Sequence, residues 1–127
     1  MILGIGIDII EIERIQDSIS KFGEKFLNKI FTIKEIEYCS TKANSAQHYA
    51  ARFAAKEAIS KALSTGWNNE FHWKEIEISN LSSGAPIVEL SGKMSEFLTG
   101  NKRLKITMSH SDNYVTCFAI YFLDISQ

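Results

Sequence analysis

Met1-Ile-Leu-Gly-Ile-Gly-Ile-Asp-Ile-Ile-Glu-Ile12 opens the chain, and its reading decides the fold. β-branched isoleucines dominate residues 2–10, and the length suits a strand better than a helix. With a period of two, Leu3, Ile5, Ile7 and Ile9 share one face. That apolar face is expected to hold the strand in place. Gly4, Gly6, Asp8 and Ile10 share the other face. Two positions without side chains therefore flank one carboxylate, which leaves room for a backbone, a helix or a ligand to come close. Two readings of Asp8 stay open: a cap for the next helix beneath a helix packed on the glycines, or a ligand-binding group. A dinucleotide fingerprint fails because Ile9 fills the place of its third small residue. The chain also lacks the Gly-x-x-x-x-Gly-Lys-Ser/Thr pattern of a P-loop.

Working outward, a helix follows over residues 12–21. Ile12, Ile15, Ile19 and Phe22 fall at helical spacing and are expected to face the core, with Gly23 as the stop. Arg14, Ser18, Lys21 and Lys25 trace a second stripe, polar and basic. Thr32 and Glu35 have the form of a capping box, which predicts a short helix to about Cys39. Residues 40–45 read as a loop. The strongest helix spans residues 45–65, rich in alanine, free of Gly and Pro, and ending at Gly66.

The second half reads as strands. Trp73 to Ser79 alternates, residues 82–86 form a turn, and Ile87 to Leu90 make a short strand. Ser91 to Leu98 reads as a helix closed by Gly100. Leu104 to Ser109 and Tyr114 to Leu123 alternate, joined by the turn His110-Ser111-Asp112-Asn113. The last strand is apolar on both faces, so it needs cover twice, from a subunit interface or from its own chain. The pattern predicts one α+β domain over residues 1–127.

Bulk composition narrows the function. The chain has 127 residues, 45% hydrophobic and 23% charged, with a net charge of −1. That balance gives no support for a nucleic-acid binder or a membrane-surface protein. Cys39 and Cys117 are far apart and lack metal-type spacing, which predicts a reduced, cytoplasmic protein. Asp8, Glu11 and Glu13 interrupt the apolar start and no basic leader precedes it, so it does not read as a signal peptide. No run approaches the ~18 apolar residues of a membrane span.

Chemistry-bearing groups lie in three places. On the long helix, Phe53, Glu57 and Lys61 stack in one column at i, i+4 and i+8, flanked by Ser60 and Ser64. Glu57 and Lys61 read as a surface pair, or, with Phe53 turning the column inward, as charges in need of partners. Ser109 to Asn113 gather polar groups at a strand end, where His110 can donate to a phosphate or work as an acid or base. Consecutive Ser, His and Asp residues cannot converge as a triad. His48 and His72 have no grouping, and His48 is read as structural.

Together these blocks resemble the holo-acyl-carrier-protein synthases, the short bacterial type of 4′-phosphopantetheinyl transferase. Three stretches carry the match: residues 4–15, residues 51–62 (Ala-Arg-Phe-Ala-Ala-Lys-Glu-Ala-Ile-Ser-Lys-Ala) and Ser109-His110-Ser111. Supporting pieces are Phe31-Thr32, Glu37-Tyr38-Cys39, Ser83-Gly84-Ala85-Pro86 and Leu90-Ser91-Gly92. The resemblance implies an antiparallel sheet packed on one long central helix plus shorter helices. It implies transfer of the 4′-phosphopantetheine arm of coenzyme A to a serine of an apo acyl carrier protein, in support of fatty acid biosynthesis. Adenosine 3′,5′-bisphosphate is the other product.

By the same resemblance Asp8 and Glu57 are the two ligands of Mg²⁺, and Lys61 reaches the pyrophosphate. His110, beside Ser109, lies near the coenzyme phosphates. The proton acceptor stays open among Asp8, Glu57 and a metal-bound water. Arg52 and Lys42 are the candidates for the coenzyme's outer phosphate, and Gly84 and Pro86 line the adenine side. Arg14, Lys21, Phe22 and Lys25 would dock the acidic helix of the carrier. The family implies a homotrimer with active sites between subunits. Thr116-Cys117-Phe118 departs from the small residues usual in the last strand, which bears on packing. A metal-dependent phosphohydrolase and a non-catalytic interaction subunit are the rival classes.

Overall fold

The computed structural model describes residues 1–64 and 71–125. Strand β1 (Ile2–Glu11) leads into helices α1 (Ile12–Phe22), α2 (Glu24–Ile30), α3 (Ile33–Ser40) and the long α4 (Ser45–Ala62). Strands β2 (Ile76–Asn80) and β3 (Pro86–Leu90) form an antiparallel pair. Strands β4 (Lys102–His110) and β5 (Tyr114–Leu123) join β1 in an antiparallel sheet of order β1-β5-β4. The α+β class is as expected. Helix α2 was missed because its seven residues hold too little periodicity to stand out. Residues 73–75 and 92–98 form 3₁₀ turns, where the alternation predicted strand and helix. The expected stop at Gly66 lies outside the described residues.

Helix α4 packs on the sheet through the face of β1 that carries the glycines. A methyl group at Gly4 would strike the carbonyl oxygen of Ala62, and one at Gly6 that of Ala58. Ala50, Ala54, Ala58 and Ala62 recur every four residues and are all buried. This smooth ridge and the bare strand let two backbones approach as side chains would not. Residues Ile15, Phe31, Ile59, Ile76, Ile78, Met94 and Val115 close the core around α4.

The two faces of β1 thus exchange their expected roles. Ile5, Ile7 and Ile9 are 59%, 61% and 65% exposed. Phe118, opposite Ile7, extends this apolar surface onto β5. The other face of β5, with Val115, Cys117, Ala119 and Tyr121, is buried under α4. Within one chain β5 is therefore covered once. Phe22, expected in the core, is 53% exposed at the end of α1.

A second network ties the helices to β2. The Thr32 hydroxyl accepts from the Glu35 amide, and the Glu35 carboxylate accepts from the Thr32 amide, so the predicted capping box forms. The same carboxylate accepts from the Ile78 amide at 2.8 Å and from Lys56 Nζ at 2.6 Å. Lys56 also donates to the carbonyls of Ile30 and Trp73.

Candidate functional site

Two groups of predicted residues assemble at opposite edges of the three-stranded sheet. The first lies at the β1 edge. Asp8 does not cap α1, whose cap residue is Glu11 without a side-chain bond. Its carboxylate instead turns toward α4, with its side chain 18% exposed. Lys61 Nζ donates to the Ile7 carbonyl at 2.8 Å and to Asp8 Oδ1 at 3.4 Å. Burial, then the charge of Asp8, raise the proton affinity of Glu57, and Lys61 opposes them. Burial likewise raises Asp8, against the pull of Lys61. The Thr116 hydroxyl donates to the Asp8 carbonyl at 2.8 Å and pins the strand there.

Two partly buried carboxylates therefore lie near one lysine, which makes a single long contact, to Asp8. Such a pair resists full ionisation unless more positive charge joins it. Its donors are hard oxygens on an open flank. This suits Mg²⁺, which takes one or two carboxylates and fills its shell with water and phosphate oxygens. Among the described residues no cluster of three or more His, Cys, Asp and Glu forms a closed cage. The donor set fits an open Mg²⁺ site.

The second group lies at the β4 edge. A cleft of about 590 Å³ separates the start of α4 from the end of β4 and the β2–β3 turn. Arg52, Gly84, Ser109 and His110 all line it. Asn80 braces its rim, accepting from Arg52 Nη2 at 3.2 Å and donating to the Gly84 carbonyl at 3.0 Å. Pro86 opens β3 opposite Asn80 and is not among the lining residues. Lys42 is not among the lining residues either, but its Nζ rests 4.6 Å from the ring centre of Tyr38, which is one of them.

His48, expected to be structural, lines the cleft and meets the Tyr38 ring edge-on at 5.6 Å. Its proton affinity is lowered, first by burial and then by Arg52, Lys42 and His110. The available signal was its place one helical turn before Arg52. Tyr38 and Asn80 were missed because their contacts cross between elements.

The two groups do not meet within one chain. Residues 52 and 57 are turned about 140° apart around α4 by the helical rotation. Asp8 faces Cys117 and Met108, whereas His110 faces Val115. Two residues along and two strands across, that separates the Asp8 and His110 Cα atoms by roughly 12 Å.

The docking candidates are all at the surface. Arg14 and Lys21 are exposed on α1, and Lys21 Nζ stands 5.3 Å from the Phe22 ring centre. Lys25 belongs to α2, beyond the bend at Gly23, so the basic stripe is not one continuous helix face. Cys117 is a buried free thiol, as expected, and burial pushes it up to about 12.

With this geometry established, comparisons add kinship. A family model described as the 4′-phosphopantetheinyl transferase superfamily matches residues 4–119. A holo-acyl-carrier-protein synthase of Protochlamydia amoebophila is 47% identical over 121 residues, covering 95% of this chain and 98% of the relative. The crystal structure of such a synthase from Neisseria meningitidis superposes with a TM-score of 0.88 at 32% identity, covering 96% and 99% of the two chains. The Helicobacter pylori synthase in complex with coenzyme A gives 0.81 at 33% identity, covering 93% and 99%.

Proposed function

This chain belongs to the 4′-phosphopantetheinyl transferase superfamily, and from that membership we infer that it is a holo-acyl-carrier-protein synthase. It transfers the 4′-phosphopantetheine arm of coenzyme A to a serine of apo acyl carrier protein. The serine oxygen bonds to the phosphorus that bears the pantetheine. The bond from that phosphorus to adenosine 3′,5′-bisphosphate breaks, and the serine proton is released. The carrying observation is the end-to-end kinship, 47% identity across 95% of the chain.

For the chemistry we propose Asp8 and Glu57 as the holders of Mg²⁺. When bound, the ion would offset the charge of the pyrophosphate oxygens. The support is a pair of partly buried carboxylates, in which burial raises the proton affinity of both and the charge of Asp8 raises that of Glu57 further, beside one lysine. Lys61 lies one turn beyond Glu57 with its side chain 52% exposed, free to turn from Asp8 to the pyrophosphate. A cation held there counters charge that grows as the phosphoryl group moves. His110, Ser109, Arg52 and Lys42 would bind the adenosine bisphosphate half, with Gly84 and Pro86 near the adenine. Positioning by these groups supplies most of what phosphoryl transfer needs.

We further propose a homotrimer in which each site is shared by two subunits. Two observations and a symmetry rule support it. The carboxylates and the cationic cleft occupy opposite edges of one sheet. The outer face of β1 and β5 leaves Ile5, Ile7, Ile9 and Phe118 in water, a patch that marks an interface. Head-to-tail contact of unlike edges closes into a ring when the rotation allows it. Carrier protein would dock on Arg14, Lys21, Phe22 and Lys25, where complementary charge sets rate and register. We place the enzyme in the cytoplasm, consistent with two free, buried cysteines.

The test is direct. The protein is incubated with apo carrier protein, coenzyme A and Mg²⁺, and the carrier is weighed by mass spectrometry. The expected result is one phosphopantetheine added per carrier, abolished by chelator. No mass gain across several bacterial apo carriers would overturn the reading.

A further inference from the structure

The cationic cleft contains an arrangement that charge alone does not explain. Arg52 is 3% exposed, and its Nε atom has no hydrogen-bond partner among the described residues. Among the described residues its one side-chain hydrogen bond goes to neutral Asn80. Among the described residues no carboxylate lies within ion-pair distance of Arg52 or Lys42. A buried guanidinium without a counter-ion is costly, so something else must hold it. The Tyr38 ring does: the guanidinium carbon lies 4.4 Å from the ring centre, and Lys42 Nζ lies 4.6 Å from the same centre. His48 abuts the ring edge.

A neutral ring suits this task better than a carboxylate. A carboxylate between Arg52 and Lys42 would neutralise both and compete with any incoming anion. An aromatic face attracts cations through its quadrupole and leaves their charge uncancelled. The ring can thus bring two like charges together while their donors stay available to a phosphate.

We propose that Tyr38 is a positioning residue for the 3′-phosphate of coenzyme A. Its ring holds the Arg52 guanidinium at the cleft wall and keeps Lys42 against the same ring, and so selects coenzyme A over its 3′-dephospho form. This rests on the transferase reading and on the cleft as the seat of the adenosine bisphosphate. Losing the ring should weaken 3′-phosphate selection by roughly three- to thirtyfold, the range of a partly desolvated cation–π contact.

The test compares the full-length protein with Tyr38→Leu and Tyr38→Phe. Calorimetry measures binding of adenosine 3′,5′-bisphosphate and of adenosine 5′-monophosphate. Transfer assays with apo carrier protein measure KM and kcat for coenzyme A and 3′-dephospho-coenzyme A. Tyr38→Leu should bind the bisphosphate roughly tenfold more weakly, with the monophosphate unchanged. Its KM for coenzyme A should rise in step, while kcat holds. Tyr38→Phe, which keeps the ring, should match the parent. Equal weakening for both nucleotides, or equal damage from both substitutions, would overturn the proposal and leave Tyr38 a packing residue. Absence of transfer by the parent, with 3′-phosphate selection intact and ring-dependent, would instead overturn the transferase reading while sustaining the phosphate subsite.

Discussion

Helix α4 carries two lysines in opposite circumstances. Lys56 is wholly buried, and its three donors meet Glu35, the Ile30 carbonyl and the Trp73 carbonyl at 2.6, 2.8 and 3.0 Å. Glu35 is equally provided for, taking the Thr32 and Ile78 amides as well. Lys61 is half in solvent, with one good bond to a carbonyl and one long contact to Asp8. Beside it Glu57 and Asp8 repel each other, and on the opposite flank Arg52 and Lys42 both lie against one ring, with no carboxylate partner among the described residues. The closed network uses its charges up and holds α3, α4 and β2 together. The open groups leave charge over, and leftover charge is what a metal or a phosphate can use.

Four measurements can break or sharpen this contrast. The largest effect should come from Lys56→Met, which leaves the Glu35 carboxylate buried without its cation. Stability in urea denaturation should fall by about 3–5 kcal/mol. A loss under ~1 kcal/mol would mean the network is no more than a surface pair. Next is Glu57→Gln. Transfer should fall by about a hundredfold or more, while Tm holds or rises because one of two repelling carboxylates has gone. A drop in Tm alongside activity would move Glu57 into the structural class.

Lys61→Met should have a smaller and more diagnostic effect. Lys61 partly neutralises Asp8, so its removal should tighten Mg²⁺ binding roughly two- to fivefold, read by calorimetry with MgCl₂ alone, although transfer slows. Weaker metal binding in that variant would show that Lys61 supports the site in some other way. The smallest effect concerns His48. Its folded proton affinity lies below the ordinary 6.5, through burial and the nearby charges of Arg52, Lys42 and His110. The neutral form is the one the fold favours, so its contribution is complete above that ordinary value. It is lost as pH falls through the lowered folded value. The residue is partly exposed, so the loss should be about half a kcal/mol or less. His48→Gln should flatten that acid-side slope in denaturation curves, and an unchanged slope would remove His48 from the cationic group.

Legibility followed the range of the interaction. The capping box at Thr32 and Glu35 was readable because its partners are three residues apart. Helix α1 and its stop at Gly23 were readable from spacing and a terminal glycine. Glu57 and Lys61 were found as a column, and Asp8 as a carboxylate on a bare face. Lys56 was passed over, although it lies next to Glu57, because an isolated lysine on a helix reads as solvated. Its partners come from residues 30, 35 and 73, and only the fold collects them. The place of His48 in the cleft was hidden for the same reason.

The chain by itself determined the elements, their periodicities and the residue types able to bind a metal and a phosphate, since these depend on neighbours a few positions away. Tertiary structure decided which face of β1 would be buried. The local pattern favoured burying isoleucines, but the close approach of α4's alanine ridge to Gly4 and Gly6 turned the isoleucines outward. It also decided that the carboxylates and the cationic cleft stand at opposite sheet edges. Strand order β1-β5-β4 sets that separation, and no local spacing encodes strand order.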